Sequence, residues 1–323
     1  MQIPNGAYDK PKTQSVRQLN LDRVLVPLDG SEISEYILPF ASMLTRWLNG
    51  ELTLFHALLP MHPAFSRQKT VAYPDTQHDR GSHLAESYLE EIAARLNNTK
   101  VKTRSSVSTG DVAKIISSRA VIGRFGLTAV TVGTQSRVRR LIRSSLLDLL
   151  WKSSPVPLML VNPGDSVNKV NLPTEPREFI VPMDATPTCM AALPIASILA
   201  NSIDAQVTLL ATSKTAIDPI TATQDKNSVS KAVAYLEEHK TTNSVETTSK
   251  KGVSERQKQS SGSWVIAGSR MRFGIRRSLF GSSGDQFLRE CKEPLIVVPE
   301  PGVAELRFRN ARSKSLSATD QII

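Results

Sequence analysis

Two aspartates stand at matching places in this sequence. Each follows a short apolar run: Asp29 after RVLVPL and Asp184 after EFIVPM. Farther along, Gly133 and Gly268 each end another apolar run. Each is followed by arginines and then by small residues that open a helical stretch, Ser144-Ser145 in one case and Gly281-Ser282-Ser283 in the other. Free backbone N–H groups and the positive end of a helix dipole make such a start an anion site. A glycine there lets backbone approach a phosphate with no Cβ in the way. Residues 137–143 (RVRRLIR) carry four arginines and no acid, as do residues 268–282, within a net charge of +10. Basicity gathered in this way points to anionic partners at two equivalent places.

The same residues also have a local reading. Asp29 before Gly-Ser and Asp184 before Ala-Thr are both good helix N-caps, and Ser145 and Ser282 could cap the last helices. The arginine runs could be solvated linkers. His62, His78 and His83 lie in a long polar loop without metal-ligand spacing, and His56 at a strand end reads as structural. Cys189 and Cys291 show no CxxC pattern and sit in apolar helical contexts, which suits small core residues. There is no GxSxG elbow, Walker A loop or HExxH, and no paired acid and base. A dedicated hydrolase is therefore not expected.

The elements that must position these residues come as two copies. RVLVPLDGS (23–31) matches EFIVPMDAT (178–186), and LPFASML (38–44) matches LPIASIL (193–199), at an offset of 155. SPVPLMLV (154–161) matches CKEPLIVV (291–298) at an offset of 137, so the second copy has lost 18 residues in its middle. Each copy alternates strands with helices. In the first, VLVPL, ELTLFHALL, VKTRSSVS, LTAVTVG and PLMLV read as strands. A helix running from Ile33 to Leu48 is kinked by Pro39, and HLAESYLEEIAARL, VAKIISSRAVI and SSLLDLLWKS are further helices. The second copy repeats the order, but between Gly252 and Gly268 its third helix shrinks to a turn or two. Apolar strands linked by helical crossovers make a parallel sheet. The fold class is α/β: two doubly wound five-stranded parallel-sheet domains in tandem.

The expected organisation is a flexible leader (1–20), a first domain (21–162), a linker (163–177), a second domain (178–299) and a flexible basic tail (300–323). With 40% apolar residues the chain should be globular, and its apolar runs fall short of a membrane span. The polar N-terminus lacks an apolar signal core, so the expected compartment is cytoplasmic. In an open α/β sheet, ligands bind beyond the carboxyl ends of the strands where strand order reverses. Asp29 would then face Gly133, and Asp184 would face Gly268.

With these residues in place, the chain resembles a tandem universal stress protein over about residues 21–299. The resemblance implies an adenine-nucleotide α-hydrolase-like fold. In that family many members bind ATP through an Asp ending strand one and a loop G-x2-G-x9-G-(S/T) after strand four. The second copy has Gly268, Met271, nine residues, then Gly281-Ser282; the first has Gly133, Ser136, seven residues, then Ser144-Ser145. The pattern implies nucleotide contacts from Asp184, Gly268, Gly281 and Ser282. Arg270 would help hold phosphates, and Pro182, Thr212 and Ser283 would make backbone and adenine-side contacts. Pro27, Asp29, Ala57, Gly133, Ser144 and Ser145 are the weaker equivalents. The implied ligand is ATP, ADP or AMP, with or without Mg, and slow ATP hydrolysis is the most activity that the resemblance implies. The implied assembly is an intramolecular pseudo-dimer through the fifth strands, with a homodimer as a further option. Two alternatives stay open: a ligand-free interaction protein, and a nucleic-acid or polyphosphate binder using the loop arginines. The second is disfavoured by an aromatic content of 5% and no platform for stacking bases.

Overall fold

The structure is a computed structural model that describes residues 21–59, 74–132, 146–147, 149–163, 173–183, 188–212, 219–248, 262–268 and 293–319. The first half runs β1 (Arg23–Leu28), α1 (Glu32–Glu35), α2 (Leu38–Trp47), β2 (Glu51–Leu58), α3 (Pro74–Asn97), β3 (Lys102–Thr109), α4 (Val112–Ile122), β4 (Leu127–Thr131) and β5 (Leu158–Val161). The second runs β6 (Glu178–Met183), a 3-10 turn (Cys189–Ala192), α5 (Leu193–Ile203), β7 (Gln206–Thr212), α6 (Pro219–Glu238), β8 (Asn243–Thr248), β9 (Ser263–Gly268) and β10 (Leu295–Val298). A last helix, α7 (Pro301–Thr319), follows.

Strand order is β3-β2-β1-β4-β5-β10-β9-β6-β7-β8 in one ten-stranded sheet. Within each half every pairing is parallel, as the alternation of strands and helices requires. The halves meet where β10 pairs antiparallel with β5, Leu295 opposite Leu160 and Val297 opposite Leu158. The two five-stranded sheets are thus one continuous sheet. Both faces of the central strands are buried. Val24, Val26 and Leu28 point into one core with Leu44 and Leu89, and Leu25 and Phe55 into another with Ile116 and Ala120. Each such Val, Leu, Ile or Phe side chain contributes roughly 1.5–3 kcal/mol through burial. The β3 edge is largely exposed, as its polar sequence suggests.

The first core crosses the junction between the halves. Trp47 of α2 lies 5.0 Å from the Trp264 ring and 6.4 Å from that of Phe179, whose ring stands edge-on to Trp264 at 6.1 Å. Two of these residues belong to the second half and one to the first.

Several elements differ from expectation. The helix after β1 is broken rather than kinked: α1 stops at Glu35 and α2 starts at Leu38 with Pro39 in its first turn. Proline lacks the N–H that a continuous helix needs and clashes with the preceding turn, but a helix's first turn accepts it. Pro194 does the same at the start of α5. Helix α3 begins at Pro74, so His78 and His83 lie on a helix and not in a loop; His83 is exposed beside Glu86. His62 lies outside the described residues. Most of the tail at 300–323, expected to be flexible, forms α7. That helix packs on α4, buries Ala311, and donates a 3.0 Å hydrogen bond from Arg307 to the Ser154 carbonyl. Cys189 is buried in the apolar core, as a core reading requires; Cys291 and the shortened third helix of the second copy lie outside the described residues. Among the described residues no helix is long and apolar enough to cross a membrane.

Candidate functional site

The site is a crevice made by backbone chemistry. In parallel strands, alternate residues turn both backbone groups to the same neighbour. Arg23 accepts from Gly126 on the β4 side, while Asp22 accepts from Glu51 on the β2 side. Residues 23, 25 and 27 therefore face β4, and position 27 is a proline with no N–H to give. The β1–β4 pairing accordingly covers Val24 with Leu127 and Leu25 with Thr128 and goes no further. The second half repeats this. Arg177 accepts from Gln206 on the β7 side, so 178, 180 and Pro182 face β9, and pairing stops at Ile180 with Val265. In both halves the two central strands part toward their carboxyl ends, and a proline ends the ladder. Pro27 and Pro182 thus stand just beyond the last paired residues of the two central ladders.

The first crevice is described at its β1 side. Asp29 is exposed, and its Oδ1 accepts from the Ser31 N–H at 3.0 Å and the Ser31 hydroxyl at 2.5 Å. The cap of α1 is Ser31, whose Oγ accepts from the Ser34 N–H at 3.2 Å. This corrects the reading of Asp29 as an N-cap: it steadies the capping residue and keeps its carboxylate at the mouth. Gly30 at φ +80° supplies the left-handed turn between them. Thr131, ending β4, donates to the Ser34 carbonyl at 3.3 Å and so ties the far lip of the crevice to α1.

Two further residues stand nearby: His56, which the sequence reads as structural, and Tyr88, which it does not single out. His56, opposite Leu28 at the end of β2, stands edge-on to Tyr88 of α3 with ring centres 6.4 Å apart. Tyr88 donates to Glu35 Oε1 at 3.1 Å, and Arg95 holds Glu35 Oε2 at 2.6 Å. Burial lowers the His56 pKa, opposed by the Asp29 charge and the Leu28 carbonyl. Burial, with the neighbouring Glu35 charge, raises that of Tyr88, so the phenol stays a neutral donor. Comparing the copies at offset 155 would have flagged His56, because Ala211 stands in its place.

A pH dependence follows from His56. Its folded pKa lies below the ordinary value of 6.5, so below that value the unfolded chain takes up a proton that the folded chain resists. Stability should fall as pH drops through the window just under 6.5, and His56→Ala should flatten that part of the profile. Urea midpoints for both proteins between pH 5 and 8 read it directly; parallel profiles would refute it.

In the second half, Gly268 is the buried last residue of β9. A Cβ there would lie 2.1 Å from the Thr188 carbonyl oxygen. Its glycine therefore has a packing cause beside any role toward a ligand. Thr212 ends β7 one register step beyond the Met183–Ala211 pair, and Ala57 occupies the matching step past Leu28–His56 in β2. Asp184, Arg270, Gly281, Ser282, Ser283, Gly133, Ser144, Ser145 and both arginine runs lie outside the described residues. Among the described residues no cluster of His, Cys, Asp and Glu could hold a metal ion.

The profile of the universal stress protein family matches residues 20–162 and again residues 176–299. The chain belongs to the universal stress protein family. Among solved structures it is similar to a universal stress protein from Archaeoglobus fulgidus, at 17% identity and a TM-score of 0.63. The match covers 86% of this chain and 96% of that one. It is also similar to a functionally unknown protein from Pseudomonas aeruginosa, at 12% identity and a TM-score of 0.61, covering 91% and 99%. At these identities the likeness is one of fold. No curated protein matches the chain significantly. Two universal stress domains in tandem account for the repeated crevice and for the single sheet that joins them.

Proposed function

We propose that the chain binds an adenine nucleotide in the crevice of its second half and uses it as a conformational ligand in stress response or signalling. The observation that carries this reading is the end of the β6–β9 pairing at Ile180 and Val265, which leaves Pro182 and Gly268 outside the ladder at the carboxyl ends of the two strands. In this reading Asp184 holds the adenine or ribose end, with Pro182 and Thr212 beside the base. Gly281, Ser282 and Ser283 take the phosphates on a helix N-terminus, with Arg270 adding charge. ATP, ADP and AMP all present that chemistry, and a Mg ion would travel with the phosphates. The shorter loop from Ser136 to Ser144, and the Cβ of Ser144, disfavour phosphate in the first half. The two halves act as an intramolecular pseudo-dimer through the β5–β10 pairing. A bound nucleotide stabilises the state to which it binds best by that difference in affinity and no more.

Calorimetry with ATP on the full chain tests this. The wild type should bind, Asp184→Ala should lose on the order of tenfold or more in affinity, and Asp29→Ala should bind as the wild type does. The reverse pattern would reassign the site to the first half. Absence of heat in every case would favour a ligand-free interaction protein.

A further inference from the structure

Helix α7 belongs to the second half by sequence and to the first half by contact. It follows β10, yet the helix it packs on is α4, and Arg307 reaches the Ser154 carbonyl at 3.0 Å across 153 residues of chain. Ser154 follows the helical residues 149–153, and Ser153 Oγ lies 2.8 Å from Ser117 Oγ of α4. One helix from the second half therefore bears on two neighbouring helical segments of the first.

We propose that α7 is a releasable clasp, which holds α4 and residues 149–153 in place and opens as a unit before the rest of the fold. Its grip is narrow. The inner face is Ala304, Arg307, Phe308 and Ala311, at the i, i+3, i+4, i+7 spacing of one helical stripe, and of these only Ala311 is buried. Leu306, on the outer side, is exposed. A helix of 19 residues is marginal in water without tertiary packing, so α7 is helical because it is docked. So few buried contacts also give a low free energy of local opening. The joint suits separate movement. Pro299 and Pro301 flank Glu300 between β10 and α7. Neither proline has an N–H to extend the strand ladder or to tie the helix to it, so α7 can leave without unzipping β10. Residues 173–177, on the way from β5 to β6, form no helix, so the described residues hold no second clasp across the repeat. The clasp stands independently of the nucleotide reading.

Hydrogen exchange on the full chain, read peptide by peptide, tests this. In the wild type the α7 amides should exchange about tenfold or more faster than those of α4, once intrinsic rates are divided out. Ala311→Arg puts a long charged side chain at the one buried position of the clasp. It should release α7 and speed exchange in α4 and in 149–153 by about tenfold or more, with β6, β7 and β9 unchanged. Arg307→Ala removes the hydrogen bond to Ser154 and leaves the apolar contact. It should move the same peptides in the same direction by about tenfold, and it keeps the test decisive if Ala311→Arg folds poorly. An α7 protected as well as α4 in the wild type overturns separate opening. Unchanged exchange in α4 and 149–153 once α7 is released means that α7 rides on them without holding them. Equal acceleration in β6, β7 and β9 means that α7 is part of the global fold. Either result overturns the proposal, as does an α7 that neither substitution releases.

Discussion

Trp264→Ala should be the most damaging single substitution in the junction, costing about 3–5 kcal/mol, the usual range for removing a buried indole. The ring is fully buried and touches Trp47 of the first half and Phe179 of the second. Its loss empties a space walled by both halves, so neither half can close it alone. A melting temperature lower by roughly 10 °C is expected, with both halves unfolding together if the continuous sheet is one cooperative unit. Trp264→Phe should cost far less. Among the described residues the indole Nε1 has no hydrogen-bond partner, so phenylalanine gives up packing volume but no polar contact. Equal losses for the two substitutions would mean that an unseen partner of Nε1, not ring packing, sets the energy.

Gly268→Ala should damage both stability and binding. A Cβ at 268 would sit 2.1 Å from the Thr188 carbonyl oxygen and 2.7 Å from its carbon, and both are backbone atoms that cannot rotate away. The segment leading into the Cys189–Ala192 turn must shift, at a cost of about 1–3 kcal/mol for overpacking of this kind. That segment begins four residues after Asp184, so the shift should also weaken nucleotide binding. Gly302→Ala is the control: it sits in α7 with nothing within 4 Å of the added methyl, and should change stability by less than about 1 kcal/mol. Urea midpoints for the two variants, with an ATP titration of each, give the comparison. A Gly268→Ala protein as stable as the wild type would show that Thr188 yields without cost.

Periodicity and repetition revealed much of the fold. The apolar runs around Val24 and Phe179 are short, flanked by turn residues and duplicated, so they could be read as central parallel strands without knowledge of their neighbours. How the sheet continues could not be read from local pattern; the expectation that the fifth strands meet came from the family resemblance alone. Leu158–Val161 and Leu295–Val298 each resemble an ordinary last strand, and nothing in their local pattern states that they pair antiparallel with each other. The α7 helix was hidden for a different reason: its residues are mostly polar and basic, and its inner face is narrow. Contact with α4 and the Arg307–Ser154 hydrogen bond, both distant in sequence, hold it.

The candidate site was legible in part. Asp29 was placed correctly at the end of β1, but capping propensity alone assigned it the task that Ser31 performs. The prolines at 27 and 182 were visible in the repeat. Their effect depends on which way the backbone groups face, and only the pairing register shows that they point at β4 and β9. His56 and Tyr88 meet across 32 residues of chain, a contact that composition and spacing do not encode.

Equilibrium dialysis of the intact chain against radiolabelled ATP is the most direct measurement of whether a nucleotide occupies the second crevice and not the first. About one ATP per chain at saturation is expected. No ATP retained would contradict nucleotide binding, and two per chain would contradict the asymmetry between the halves.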